Sequence, residues 1–465
     1  MLSLLSGYLF LFKYNFKPHI DDNNDNHDNN DNKENNDNHD NNYNHDNNYN
    51  FYNSLQPART YQLSFLSCLG IVIGSIIGSG IFMVPSLMIK TLPSPMLLFA
   101  VWIVSAIVSI IGGLVVMGMG TAFPQARDLL DYYNMIFPKW VGYFFNIGSN
   151  WVINPFGTVV VGFVFAEYMG YFFPLDAIGI KMVTICLLLM LTIINTFNME
   201  IADRFQILFT GTKVVSIILL VLFLLIPGKG NIEHFSMSEI SNWNTIKILG
   251  AFFAASTGAL NAFDGWYLVS HLTPEVKGGV KTVGKAIVAG LLICMALYLL
   301  TTFAYQFVLT PNEIANSKMV AVTALEKVMG GWAPALVTIL ILISTSSSVN
   351  AFLISSSRLM QSTAEQKMLP AFLSAKNKKQ IPVAAFWIIF CFQTILVITG
   401  TYELLLDFTL FVVWLFVTIL TGGFLHHFIR QRLVLPGFKR IPMIAACIIL
   451  LTFGVLYLLN FFITF

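Results

Sequence analysis

Two glycine-interrupted apolar stretches carry the residue types best suited to ligand chemistry in this 465-residue chain. The first holds Gly74, Ile76, Gly78, Ser79 and Gly80, followed by Ile81-Phe82. The second holds Gly258, Asn261, Phe263, Asp264 and Gly265, followed by Trp266. Glycine lets a helix unwind and lets a ligand approach its backbone. Inside a membrane, an unwound segment exposes free N–H and C=O groups. The positive end of the following half-helix favours a carboxylate, and the freed carbonyls favour an ammonium. Small residues also serve close helix packing, but two breaks one repeat apart favour a binding site. Two ionisable residues lie inside apolar runs, Asp264 and Lys213, where a charge costs at least about 2.5–3.5 kcal/mol. Asp264 either faces the site and favours a cationic group or caps the half-helix after the break. Lys213 either serves the site or snorkels to the interface.

The elements that must position these residues follow from composition. Apolar residues make up 56% of the chain, charged residues 11%, and mean hydropathy is +0.71. A soluble domain carries roughly 25% charge, so the expected class is an all-α polytopic membrane protein. Barrels are excluded because their alternating segments of about 10 residues are absent. Eleven spans are expected near 63–89, 95–119, 140–173, 178–198, 204–227, 247–271, 284–309, 331–357, 382–400, 403–427 and 441–464, each about the length that crosses a bilayer as helix. Residues 1–58 form a separate segment. Its core, 21–53, is almost entirely Asn, Asp, His and Tyr, so a disordered cytoplasmic tail is expected ahead of a transmembrane domain over 59–465. Cys68, Cys186, Cys294, Cys391 and Cys447 fall in apolar blocks and read as packed thiols.

Lysine and arginine orient the spans. With the amino terminus in the cytoplasm, fifteen fall on cytoplasmic loops and helix ends, from Arg127 to Arg440. Six fall opposite: Lys90, Lys181, Lys229, Lys247, Lys318 and Lys327.

Gly74-Ser-Ile-Ile-Gly-Ser-Gly-Ile-Phe82 resembles the first-helix signature of the amino acid–polyamine–organocation superfamily, in particular its L-type amino acid transporter branch. Ala262-Phe-Asp-Gly-Trp266 and Leu272-Thr-Pro-Glu-Val-Lys277 resemble that branch's sixth helix and following loop. Phe123-Pro124, Asn154-Pro155, Thr210-Gly-Thr-Lys213, Asn350, Ser356-Ser-Arg358 and Arg430–Pro442 follow in family order. The resemblance covers about residues 60–465.

It implies two inverted five-helix repeats, helices 1–5 related to 6–10, and amino acid exchange or symport by alternating access. Carried over by position, Ser79 and Gly80 would offer amides to the substrate carboxylate, and the carbonyls of Ile76 and around Asn261 would receive the ammonium. Asn261 replaces a gating phenylalanine. Aspartate at the Asp264 position resembles members that accept dibasic as well as neutral amino acids. Lys213 resembles a substitute for the sodium of sodium-coupled relatives, which implies sodium-independent transport, with Ser346, Ser347 and Ser348 near the same region. The chain departs from the family at Arg127-Asp128, which replace paired glycines, and in having eleven spans rather than twelve. Its loop Phe173–Ala177 lacks the cysteine through which L-type carriers pair with a glycoprotein, so a disulfide-linked heavy chain is not expected.

The expected partners are an amino acid and the lipid bilayer of a plasma or endolysosomal membrane, without nucleic acid, cofactor or metal. A polyamine or organic-cation carrier would use Asp264 equally well, and a non-transporting nutrient receptor is the rival from another class. An enzyme is not expected, since no nucleophile–base pair stands out. The orientation is testable in a cysteine-free background. Lys378→Cys should react with a membrane-impermeant maleimide only from the cytoplasmic side, and Lys318→Cys only from the other. The reverse pattern would invert the topology.

Overall fold

The computed structural model describes residues 63–464 apart from 124–125, 127–128, 198, 227, 229, 237–239, 268, 270–275, 431–434 and 436–438, with backbone alone for 199–211. The expected tail and the Arg127-Asp128 substitution lie outside the described residues. So does most of the loop after the sixth span.

Span 1 is two helices, Phe65–Ile76 and Gly80–Thr91, that meet at a 45° bend. Spans 2 to 5 are Pro95–Ala122, Lys139–Met169, Ala177–Phe197 and Met199–Leu224. Span 6 opens as Thr245–Ala262. Spans 7 to 11 are Gly279–Val308, Ala333–Glu365, Val383–Thr399, Tyr402–Arg430 and Arg440–Thr464. Among the described residues, seven of these helices are long and apolar enough to cross a membrane unaided, eight with the bent pair. Of the other three, span 5 is a 26-residue helix, span 6 stops at its break, and span 9 has 17 residues. The chain is a polytopic helical membrane protein. Among the described residues, extended pairing amounts to one isolated bridge, Leu63 with Val276.

Local chemistry sets the boundaries. The Ser64 hydroxyl accepts the Ser67 amide at 3.2 Å and starts span 1. Asn244 caps span 6 through the Lys247 amide at 2.8 Å, and the Lys247 ammonium lies 4.0 Å from the Trp243 ring centre, the arrangement of an interfacial anchor. Between spans 7 and 8 the chain folds into two short helices, Pro311–Asn316 and Val320–Val328, outside the expected spans. A reciprocal Thr310–Glu313 cap and the Lys327–Glu313 ion pair at 2.8 Å hold them.

The packing repeats itself. Span 1 packs on span 7 as span 6 packs on span 2, span 3 on span 10 as span 8 on span 5, and span 3 on span 9 as span 8 on span 4. Spans 1 and 6, 2 and 7, 3 and 8, and 4 and 9 also pack on each other. That pattern arises when helices 6–10 repeat helices 1–5 about a two-fold axis. A repeat of five spans, an odd number, enters the membrane from the opposite side, so the repeats are inverted. Span 11 covers spans 2, 6 and 10. The cysteines need a correction. Cys68, Cys294 and Cys447 are buried, but Cys186 and Cys391 are exposed on the flanks of spans 4 and 9. There an apolar thiol faces the lipid side of the bundle, which periodicity without packing partners does not reveal.

Span 6 crosses span 1 at Gly80, where an added Cβ would sit 2.6 Å from the Ala262 Cβ and 2.8 Å from its Cα. Gly70, in the same span, has open space around it. Gly80→Ala should therefore lose about 1–3 kcal/mol to overpacking and lower the Tm of the purified protein. Gly70→Ala should leave it unchanged or raise it. Equal effects of the two substitutions would contradict this crossing.

Candidate functional site

Each half of span 1 has 12 residues, about 18 Å of helix at 1.5 Å per residue. In a hydrocarbon core about 30 Å thick, the gap between them lies near mid-depth. The second half-helix makes its first turn from the Phe82 amide to the Ser79 carbonyl at 3.1 Å. The amides of Ser79, Gly80 and Ile81 thus form its open amino-terminal end. Span 6 stops at Ala262 and turns through Phe263, Asp264 and Gly265. Gly265 takes φ +92°, and a Cβ on it would lie 3.0 Å from the Ser75 carbonyl. Both its conformation and its proximity to the first break require glycine.

The two breaks therefore meet. One hydroxyl touches both. Tyr298, fully buried on span 7, places its Oη 3.2 Å from the Ile76 carbonyl and 2.9 Å from the Ala262 carbonyl. Its ring packs against Trp102 and Phe263, each 5.2 Å away between centroids.

Lys213 is buried on span 5 and reaches across to span 1. Its Nζ donates to the Gly74 carbonyl at 3.0 Å and to Ser348 Oγ of span 8 at 2.9 Å. A Cβ on Gly78 would lie 3.6 Å from the same Ser348 oxygen, so the lysine ends beside the break. Lys213 does not snorkel. Of the neighbouring serines, Ser346 bonds back to the Ile343 carbonyl at 2.9 Å, whereas Ser348 faces the lysine. Asp264 is half-buried in the turn. Its amide bonds to the Asn261 carbonyl at 3.1 Å, and its carboxyl takes the Gly265 amide. Among the described residues no lysine or arginine pairs with it.

A cavity of about 580 Å³ lies on the Trp266 side of the second break, and the residues of the two breaks do not themselves line it. It reaches Trp266 and Tyr267 just past Gly265, and is walled by Gly112–Met119 of span 2, Asn146 and Asn154 of span 3, Ser355–Ser362 of span 8 and Val413–Thr421 of span 10. Trp266 lies on Gly112, where a Cβ would meet its ring at 3.1 Å. Asn154 follows a wide turn at Ser149–Ile153 and precedes Pro155, whose missing N–H disturbs the helical ladder there. The opposite side of the breaks is packed shut. Phe82, Tyr168, Trp102 and Phe263 are fully buried, and Tyr168 Oη donates to the Phe82 carbonyl at 3.0 Å. Trp102 and the cavity residues from Gly112 onward share span 2, so aromatic seal and cavity lie at different depths on one helix.

Residues 63–464 match the family model described as amino acid permease, which is nearly all of the chain outside the tail. The chain belongs to the amino acid permease family. Among its relatives are the large neutral amino acids transporter small subunit 2 of Mus musculus, 27% identical over 78% of this chain and 69% of that protein. The b(0,+)-type amino acid transporter 1 of Mus musculus is 26% identical, covering 84% and 80%. The serine/threonine exchanger SteT of Bacillus subtilis (strain 168) is 29% identical, covering 76% and 80%. This is a family of transporters rather than enzymes. Among the described residues no group of His, Cys, Asp and Glu could hold a metal ion.

The structure brings Ile76, Gly78, Ser79, Gly80, Asn261, Asp264, Gly265 and Lys213 to one level of this permease. Phe263 sits in the same turn, with its ring packed against Trp102 and Tyr298 in the aromatic seal. Tyr298 and Trp102 were missed by sequence reasoning. A tyrosine in the middle of a 30-residue apolar helix was the available signal, since its hydroxyl needs a partner there. Lys213→Met keeps the bulk of the side chain while removing its charge and both hydrogen bonds, each worth about 1.5–3 kcal/mol. The variant should fold, as a monodisperse peak in detergent shows, and lose about 100-fold in amino acid uptake. Uptake at the wild-type rate would remove Lys213 from the site.

Proposed function

We propose that this permease carries amino acids across the membrane by alternating access, without sodium, as an antiporter or proton symporter. The observation that supports it most is the meeting of two broken helices at one depth. The open amides of Ser79 and Gly80 suit a carboxylate, while the carbonyls of Ile76 and those around Asn261 and Ala262 suit an ammonium. Sodium would need oxygen ligands between spans 1, 5 and 8. The Lys213 ammonium already takes two oxygens there, from Gly74 and Ser348, so the lysine stands in for the ion, its charge held permanently or by reversible protonation.

The cavity opens beside the ends of spans 2, 8 and 10 and the start of span 3. With the amino terminus in the cytoplasm, all four face inward, and the conformation is one open to the cytoplasm. The membrane is plasma or endolysosomal. The tail over residues 1–58 is cytoplasmic and separate from the transport domain, and the cysteine-free loop Phe173–Ala177 argues against a disulfide-linked partner.

Asp264 decides the substrate class. A carboxylate in the turn beside the ammonium-binding carbonyls admits a second positive charge, so neutral and dibasic amino acids are both carried. A polyamine carrier is the second reading, favoured by the same carboxylate. Uptake of labelled leucine, lysine and putrescine into proteoliposomes separates them. Amino acid uptake should be equal in sodium and choline media and should respond to internal amino acid or to a pH gradient. Asp264→Asn should lower lysine uptake about 10-fold relative to leucine, the effect of about 1.4 kcal/mol. Uptake of putrescine without amino acids would establish the second reading, and unchanged selectivity in Asp264→Asn would end the role of Asp264.

A further inference from the structure

We propose that Tyr298 is a positioning residue for the substrate ammonium: its hydroxyl spaces the two break carbonyls and leaves them one hydrogen bond short. This rests on the reading of the breaks as the amino acid site. A phenol has one proton, yet the Tyr298 oxygen lies within hydrogen-bond distance of two acceptors, the carbonyls of Ile76 at 3.2 Å and Ala262 at 2.9 Å. At any moment the proton serves one of them. Among the described residues no backbone amide from outside its own helix serves the other carbonyl, and a buried carbonyl without a full donor seeks one. A primary ammonium has three N–H donors and meets that need on both carbonyls at once.

The hydroxyl also has no freedom to move away. The Tyr298 ring is fully buried and held between Trp102 and Phe263. Span 7 is one unbroken helix over Gly279–Val308, packed on the first half of span 1 and on span 2. Rigid span 7 thus carries a fixed oxygen to the point where two unwound segments from different repeats come together. Without that oxygen, the Ile76 and Ala262 carbonyls lose the side-chain hydroxyl they share.

The chemical prediction is specific to the amine. Tyr298→Phe removes one oxygen and keeps the ring in its aromatic cluster. KM for L-leucine in proteoliposomes should rise about 10-fold, the consequence of about one well-made hydrogen bond lost in binding. Inhibition by 4-methylpentanoate, which has the carboxylate and side chain but no amine, should keep the wild-type constant. Tm in detergent should stay near that of the wild type, which shows that the variant is folded. Three results would overturn the proposal. Equal weakening of leucine and 4-methylpentanoate would make Tyr298 a structural residue. A lower KM for leucine would make its hydroxyl a competitor of the ammonium. No change in either constant would leave it without a part in binding. If the wild-type protein neither binds nor transports any amino acid, the reading of the breaks as the site fails, and this proposal with it.

Discussion

A backbone N–H or C=O without a partner costs several kcal/mol in hydrocarbon, and this chain interrupts two helices at the depth where water is scarcest. The rest of the bundle is arranged around that cost. Tyr298 serves the carbonyls of Ile76 and Ala262, Lys213 serves Gly74, and Tyr168 serves Phe82. These three donors come from spans 7, 5 and 3, helices that lie around the broken pair. The Tyr298 and Lys213 side chains do the work that the next helical turn would otherwise do. The groups left over, the amides of the half-helix at Gly80 and part of the carbonyl set, are the ones available to a ligand.

The same constraint explains which small residues are needed. Gly80 permits the second half of span 1 to touch Ala262, and Gly265 supplies the positive φ that turns span 6 beside Ser75. A side chain at either position would separate the breaks, and the shared hydroxyl of Tyr298 could no longer span them. Close packing and ligand binding, two competing explanations for glycine in a membrane helix, are one requirement here. The carbonyls converge on a common point only because the backbones touch.

Inverted repetition gives the site its two-sided access. Spans 3 and 8 pack on each other, and each meets the other repeat in the same way, so the surroundings of the breaks are similar on both sides. In this conformation the symmetry is broken by aromatic packing. Trp102, Phe263, Tyr168 and Phe82 close one side, while the other holds the cavity beside Trp266 and Tyr267. An interior at crystal-like density does not deform smoothly, so such a bundle changes access by moving packed blocks relative to one another.

The sequence by itself determined the class of the molecule, since a chain with so little charge and such long apolar blocks has no other way to satisfy its backbone. It also determined where the helices break. Glycine, serine, asparagine and aspartate inside apolar runs are unfavourable unless something uses them, so Gly78-Ser79-Gly80 and Asn261–Gly265 were legible at once. Lys213 and Asp264 were legible for the same reason, as charges out of place. Only the tertiary structure decided what meets what. That Lys213 reaches Gly74 and Ser348, that Phe263 packs on Trp102 and Tyr298, and that Tyr298 touches both breaks are facts about helices far apart in the chain. Periodicity reports which face of a helix is apolar, and in a membrane almost every face is. The partner of a buried polar tip is therefore fixed by how the repeats pack, which no local pattern records.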